Sequence, residues 1–163
     1  MISIPIFSVL TILQSAVLSR MPLLHGTADV VLLVVIAWAL QERVRTALQW
    51  SLVAGIMMGY VSILPYSVPL VSYLGITGLT LVIRRYIWKI PILAMFVITL
   101  IGTLFNHSLS ALVVSIGGAA LPWLNVLQMI SIPSLFLNLL LAAPVYAVVK
   151  DIANWLYPEE IEI

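Results

Sequence analysis

Thr46–Ile83 reads TALQWSLVAGIMMGYVSILPYSVPLVSYLGITGLTLVI, thirty-eight residues between Arg45 and Arg84 without one charged side chain. A second stretch, between Lys89 and Lys150, runs sixty residues in the same way. A soluble domain of 163 residues needs charge to cover its surface, and soluble domains carry roughly 25% charged residues. This chain carries 8%, with 63% hydrophobic residues and a mean hydropathy of +1.21. The solvent for most of it is lipid. Backbone donors and acceptors in lipid must be satisfied within the spanning element, so spans are helices or a closed barrel. The apolar residues here come in unbroken runs rather than alternating with polar ones, which predicts helices.

A spanning helix needs about 20 apolar residues to cross a hydrocarbon core of about 30 Å. With charges, prolines and glycines as punctuation, six candidates emerge: Ile2–Ser19, Thr27–Gln41, Ala47–Leu64, Ser67–Ile83, Ile90–Ser110 and Pro133–Val149. The second is short, about 22 Å at 1.5 Å per residue. The third and fourth are joined through Pro65-Tyr66 and form a tight hairpin. Ala111–Ile132 has two readings, and in the first Ala111–Ile116 prolongs the fifth helix until Gly117-Gly118 ends it. Leu121-Pro122-Trp123 then opens a short interfacial helix. The alternative is one long sixth helix from Pro122 to Lys150, kinked at Pro133 and Pro144. The expected fold is all-α, a polytopic six-helix bundle forming a single integral membrane domain.

Six spans with an inner amino terminus place Arg43, Arg45, Arg84, Arg85, Lys89 and Lys150 inside and only Arg20 outside. That bias is the positive-inside pattern, so both termini are expected in the cytoplasm. The first segment lacks a basic stretch before Ile2 and a small-x-small site after it, which predicts a retained helix rather than a cleaved signal. No cysteine is present, which excludes disulfides, thiolate nucleophiles and thiolate metal sites. The basic residues adjoin spans and are explained by topology, not nucleic acid.

Polar groups within spans are costly and mark function or packing. They are Gln14, Asp29, Asn106, His107 and Asn138. Asp29 opens the second span, either as a helix-start carboxylate facing free N–H groups or as an ion-pair partner of Arg20. Thr99, Thr103, Asn106 and Ser110 fall at helical spacing on one face, which must turn toward another helix. His107 has no second ligand or carboxylate at metal-binding spacing. Ser51, Gly55 and Gly59 form a small-xxx-small ridge for close helix packing, internally or against a partner. Trp155 and Tyr157 are inner-interface anchors. No serine elbow, paired intramembrane carboxylates, zinc motif or phosphate-cradling glycine run occurs. The expectation is a protein without catalytic residues, metal or cofactor.

These positions together resemble the MreD family of bacterial rod-shape proteins. The likeness runs through Leu13-Gln14-Ser15, Pro22–Gly26, Ala28-Asp29-Val30-Val31-Leu32-Leu33, Leu52-Val53-Ala54-Gly55, Arg84-Arg85, Asn106-His107, Pro133–Asn138 and Pro144-Val145-Tyr146. It spans nearly the whole chain, with Ala28-Asp29-Val30 and Pro133–Tyr146 the strongest parts. Two departures stand out: alanine replaces the usual proline before Asp29, and the carboxylate often found after the third-span glycine is absent. The resemblance implies a membrane subunit of the cell-elongation complex that binds MreC, with RodA, a class B penicillin-binding protein and MreB in the larger assembly. It also implies a bundle similar to the substrate-binding subunits of energy-coupling-factor vitamin transporters. Such a vitamin-binding subunit is the rival reading; it needs an outer pocket where polar and aromatic groups converge.

Overall fold

A computed structural model of the chain describes residues 3–16, 26–86, 90–118 and 127–158. Six α-helices follow in order: α1 (Ser3–Ala16), α2 (Val30–Leu40), α3 (Ala47–Val61), α4 (Ser67–Tyr86), α5 (Pro91–Ile116) and α6 (Ile132–Leu156). A π-helical turn, Leu127–Ser131, leads directly into α6. Three helices are long and apolar enough to cross a bilayer: Ser67–Tyr86, Pro91–Ile116 and Leu127–Leu156. The other three are shorter and apolar.

The centre of the bundle is α2. Its sequence, VVLLVVIAWAL, is apolar on every side, and a helix of that kind is stable only when surrounded. Val31 to Leu40 are all buried, and α2 packs against each of the other five helices. Eleven residues rise about 16 Å, so α2 is shorter than the Thr27–Gln41 span read from the sequence. Gly26–Asp29 enters as non-helical chain instead. Irregular backbone at such a place is tolerated because protein, not lipid, surrounds it. Around this axis, large apolar side chains such as Ile12, Ile63, Phe136, Leu140 and Val148 face outward.

The helices α3 and α4 make the most extensive pairing in the bundle. Their connection is tight: Val68 N–H donates to Pro65 O at 2.9 Å, and Leu64 N–H to Ser62 Oγ at 3.1 Å. Gly55 and Gly59 lie in this contact, and Ser51, one turn before Gly55, is fully buried. A Cβ on Gly55 would stand 2.8 Å from Leu70 Cα, and one on Gly59 2.8 Å from Tyr66 Cβ. The small residues thus let the two backbones approach, as small-xxx-small ridges do.

At the far end, α5 runs on through Ile116 before Gly117 caps it and Gly118 turns with φ +94°. The sixth helix runs seven residues past the Pro133–Val149 span at its carboxyl end and starts one residue before it, with the π turn in front, closer to the single long helix of the alternative reading. Pro133 falls in the first turn of α6, where a missing N–H costs nothing. Pro144 lies inside it. The proposed interfacial start at Leu121-Pro122-Trp123 lies outside the described residues.

Candidate functional site

Burying the start of α2 poses a problem, because its first N–H groups have no partner within the helix. Val31 and Leu32 are fully buried, so side chains must serve their N–H groups. Asp29 is the N-cap, and its Oδ1 accepts from Leu32 N–H at 3.0 Å. Gln14 of α1 serves the neighbouring donor: its Oε1 accepts from Val31 N–H at 3.0 Å, while its Nε2 donates to Asp29 Oδ1 at 3.2 Å. Leu33 N–H, bonded to Asp29 O at 3.1 Å, begins the regular ladder.

The carboxyl group of Asp29 gathers further donors from across the bundle. Tyr73 Oη of α4 stands 3.0 Å from both carboxyl oxygens. Asn106 Nδ2 of α5 lies 3.4 Å from Oδ2, and Asn106 Oδ1 accepts from Ser72 Oγ at 2.8 Å. Asp29 N–H donates to Asn138 Oδ1 of α6 at 2.8 Å, and Asn138 Nδ2 donates to Thr103 Oγ1 at 3.0 Å. One turn earlier on α6, Ser134 Oγ accepts from Thr27 N–H at 3.0 Å. Gly26 makes this approach possible, since a Cβ there would stand 2.6 Å from Ser134 N. Five of the six helices meet through this network. Only α3 stays out, held by the glycine ridge and by the Trp38–Trp50 stack at 3.8 Å.

Gln14, Asp29, Asn106 and Asn138, read separately from the sequence, are therefore one site. His107 is not part of it: its Nδ1 pairs with Ser131 Oγ of the π turn at 3.1 Å. Arg20, offered as an ion-pair partner for Asp29, lies outside the described residues. Asp29's side-chain partners there are a backbone N–H, two amides and a phenol. Tyr73, Ser72 and Ser134 escaped the sequence reading. A buried tyrosine hydroxyl needs a partner, and Ser134 stands four residues before Asn138 on one face; those signals were present but weak.

Chemically the arrangement is a closed set of donors and acceptors. Among the described residues no cluster of metal-ligating groups forms there. Isolated interhelical hydrogen bonds in membranes average about 0.6 kcal/mol. A network around a buried carboxyl is worth more than one such bond, because every partner left unpaired would be stranded in apolar surroundings.

The opposite end of α2 is held differently. Arg84 of α4 donates from Nη1 to Gln41 O at 2.6 Å and to Ala39 O at 2.9 Å. A cation at the final carbonyls also suits the helix dipole. Comparison with family models, characterised proteins and solved structures finds no match to this chain.

Proposed function

We propose that this chain is a non-enzymatic, multi-pass subunit of a bacterial cell-elongation complex in the cytoplasmic membrane. Its role there is to bind MreC and help control lateral peptidoglycan synthesis and rod shape, alongside RodA, a class B penicillin-binding protein and MreB. One observation carries the reading. Gln14, Asp29, Asn106 and Asn138 belong to four separate segments of the MreD resemblance, and they converge on a single network. Motifs that looked independent thus share one physical purpose, holding the bundle in one shape. A rigid scaffold for partners is what such a lock suits. The proposal includes six crossings, with both termini in the cytoplasm and a bundle similar to the energy-coupling-factor subunits.

Depletion from a rod-shaped host is the direct test. Rounded cells with loss of lateral wall synthesis are expected, together with recovery in mild detergent of a bitopic protein bearing an outer β-rich domain. Normal shape, with paired ATPases recovered and uptake of one vitamin lost, would replace this proposal with the transporter reading. Cytoplasm-dependent reporters fused after Arg45, after Lys89 and at the carboxyl terminus should be active, and one after Arg20 silent. The reverse pattern would overturn the orientation.

A further inference from the structure

Between α1 and α6 the wall of the bundle opens, and α2 is visible through the gap. The cavity there is ≈ 290 Å³ and is lined entirely by apolar residues, among them Leu10, Val34, Val145 and Val148. At the Arg84 end of α2 it meets a second cavity of ≈ 390 Å³, which shares Trp38 and Trp50 with it. The second cavity is amphipathic: Ser3, Thr46 and Gln49 join its lining. Tyr157, also on its wall, accepts from Arg43 Nη1 at 3.3 Å through its carbonyl. The two cavities adjoin at Trp38 and Trp50, and we read them as one groove with an apolar depth and a polar mouth.

From this groove we infer a binding site for one acidic phospholipid, its acyl chain between α1 and α6 and its headgroup at the mouth beside Arg43. Length supports it. The groove follows α6 from Leu141 to Leu156, about 22 Å at helical rise. One leaflet, headgroup included, is half of a 40–45 Å bilayer, so roughly 20–22 Å. An acyl chain needs no polar partner, and the wall of the ≈ 290 Å³ slot is apolar throughout.

Charge sets the headgroup. Among the described residues this end of the bundle carries Arg43, Arg45, Arg84, Arg85 and Lys150 against Glu42 and Asp151. Two polar atoms at the junction supply an independent sign. Trp38 Nε1, on a side chain only 1% exposed, and Thr46 Oγ1 are buried without a hydrogen-bond partner among the described residues. Thr11, Thr77 and Thr99 Oγ1 are likewise buried and unpartnered among the described residues, but they line neither cavity, whereas Trp38 and Thr46 do. Both are donors, and a lipid's ester or phosphate oxygens are acceptors; Thr46 reaches them by a change of rotamer. The site goes beyond the proposed role in cell elongation and does not depend on it.

Tryptophan fluorescence reads the groove directly. In a full-length variant with Trp88→Phe, Trp123→Phe and Trp155→Phe, emission comes from Trp38 and Trp50 alone. The protein is placed in phosphatidylcholine vesicles containing tail-brominated phosphatidylglycerol or tail-brominated phosphatidylcholine. Saturable quenching is expected, with the acidic lipid favoured about fivefold, the worth of one basic residue at an anionic surface. Arg43→Gln should erase that preference. Val145→Phe should remove the saturable component by filling the slot. Val148→Phe, at a position 58% exposed, does the same with less demand on folding, and a monodisperse elution peak confirms each variant. Quenching that rises linearly, alike for both lipids and unchanged by either phenylalanine, would overturn the site. So would a co-purifying polypeptide lost in both variants while lipid quenching stays.

Discussion

The two ends of α2 solve the same problem in opposite ways. At the Asp29 end, the N–H groups of Asp29, Val31 and Leu32 are met by the side chains of Asn138, Gln14 and Asp29, and Gln14, Tyr73 and Asn106 donate to the Asp29 carboxyl. At the Trp38 end, Arg84 reaches in to the last carbonyls, but Trp38 Nε1 and Thr46 Oγ1 have no partner among the described residues beside an open groove. A buried polar group costs free energy unless bonded. The closed end therefore reads as a lock made by the protein for itself. The open end reads as a site that its environment completes.

Removing the centre of the lock should have the largest effect. Asp29→Ala strands Tyr73, Gln14, Asn106 and the Leu32 N–H at once. Each buried donor left unpaired costs about 1–3 kcal/mol, so stranding several at once takes a large share of a stability of about 5–15 kcal/mol. The variant should extract from the membrane in poor yield and melt far below the parent in detergent. A melting temperature equal to the parent's would show that the network carries no stability.

Packing of the hairpin ranks next. Gly55→Val brings a branched side chain against the α4 backbone at Leu70, where no rotamer relieves the contact. Overpacking of this kind costs about 1–3 kcal/mol. Gly78→Val is the control, because a Cβ there meets nothing within 4 Å. Equal losses at the two glycines would mean that the ridge does not set the α3–α4 distance.

Asp29→Asn separates the cap from the charge. The amide still accepts from Leu32 N–H, so the cap survives. Its NH₂, however, now meets the Asn106 Nδ2 that donated to the carboxyl, and two donors face each other. A cost of about 1–2 kcal/mol is expected. Exchanging the pair, Asp29→Asn with Asn106→Asp, restores donor to acceptor across the same gap and keeps Ser72's acceptor. A double-mutant cycle in detergent should return a favourable coupling of at least about 0.5 kcal/mol. No coupling would place Asn106 outside the network, which its 3.4 Å distance makes a real test.

Much of the architecture was legible because lipid makes composition decisive. The uncharged run from Thr46 to Ile83 did fold as two helices around Pro65-Tyr66, and Gly117-Gly118 did end the fifth helix. What the sequence hid was depth. Thr27–Gln41 looks like a span with a polar start, yet its helix begins only at Val30 and is wrapped by protein on every side. Hydropathy reports affinity for an apolar medium and does not distinguish lipid from other helices. For the same reason the convergence of Gln14, Asp29, Asn106 and Asn138 was out of reach. Each could be recognised as costly in its own span, but the pairing depends on helix rotation and depth, which no single segment encodes. Tyr73 was the hardest to find, a tyrosine among many, distinguished only by what stands opposite it.

The smallest expected effect is the sharpest discriminator between the two ends, because one chemical change serves both. Thr103→Val and Thr46→Val each replace a hydroxyl by a methyl of nearly the same volume. At position 103 the hydroxyl accepts from Asn138 Nδ2, so its loss leaves a buried amide donor unpaired. Interhelical hydrogen bonds in membranes average about 0.6 and reach about 1.7 kcal/mol, and a value above the average fits a residue 1% exposed. At position 46 the hydroxyl has no partner among the described residues, so delipidated protein should lose nothing and can gain a few tenths of a kcal/mol. Adding phosphatidylglycerol should then reverse the sign at Thr46 alone, since the parent gains a hydrogen bond that valine cannot make. Thermal melts of the two variants, with and without that lipid, give four numbers. If Thr46→Val destabilises the delipidated protein as much as Thr103→Val does, the contrast between a closed end and an open one fails.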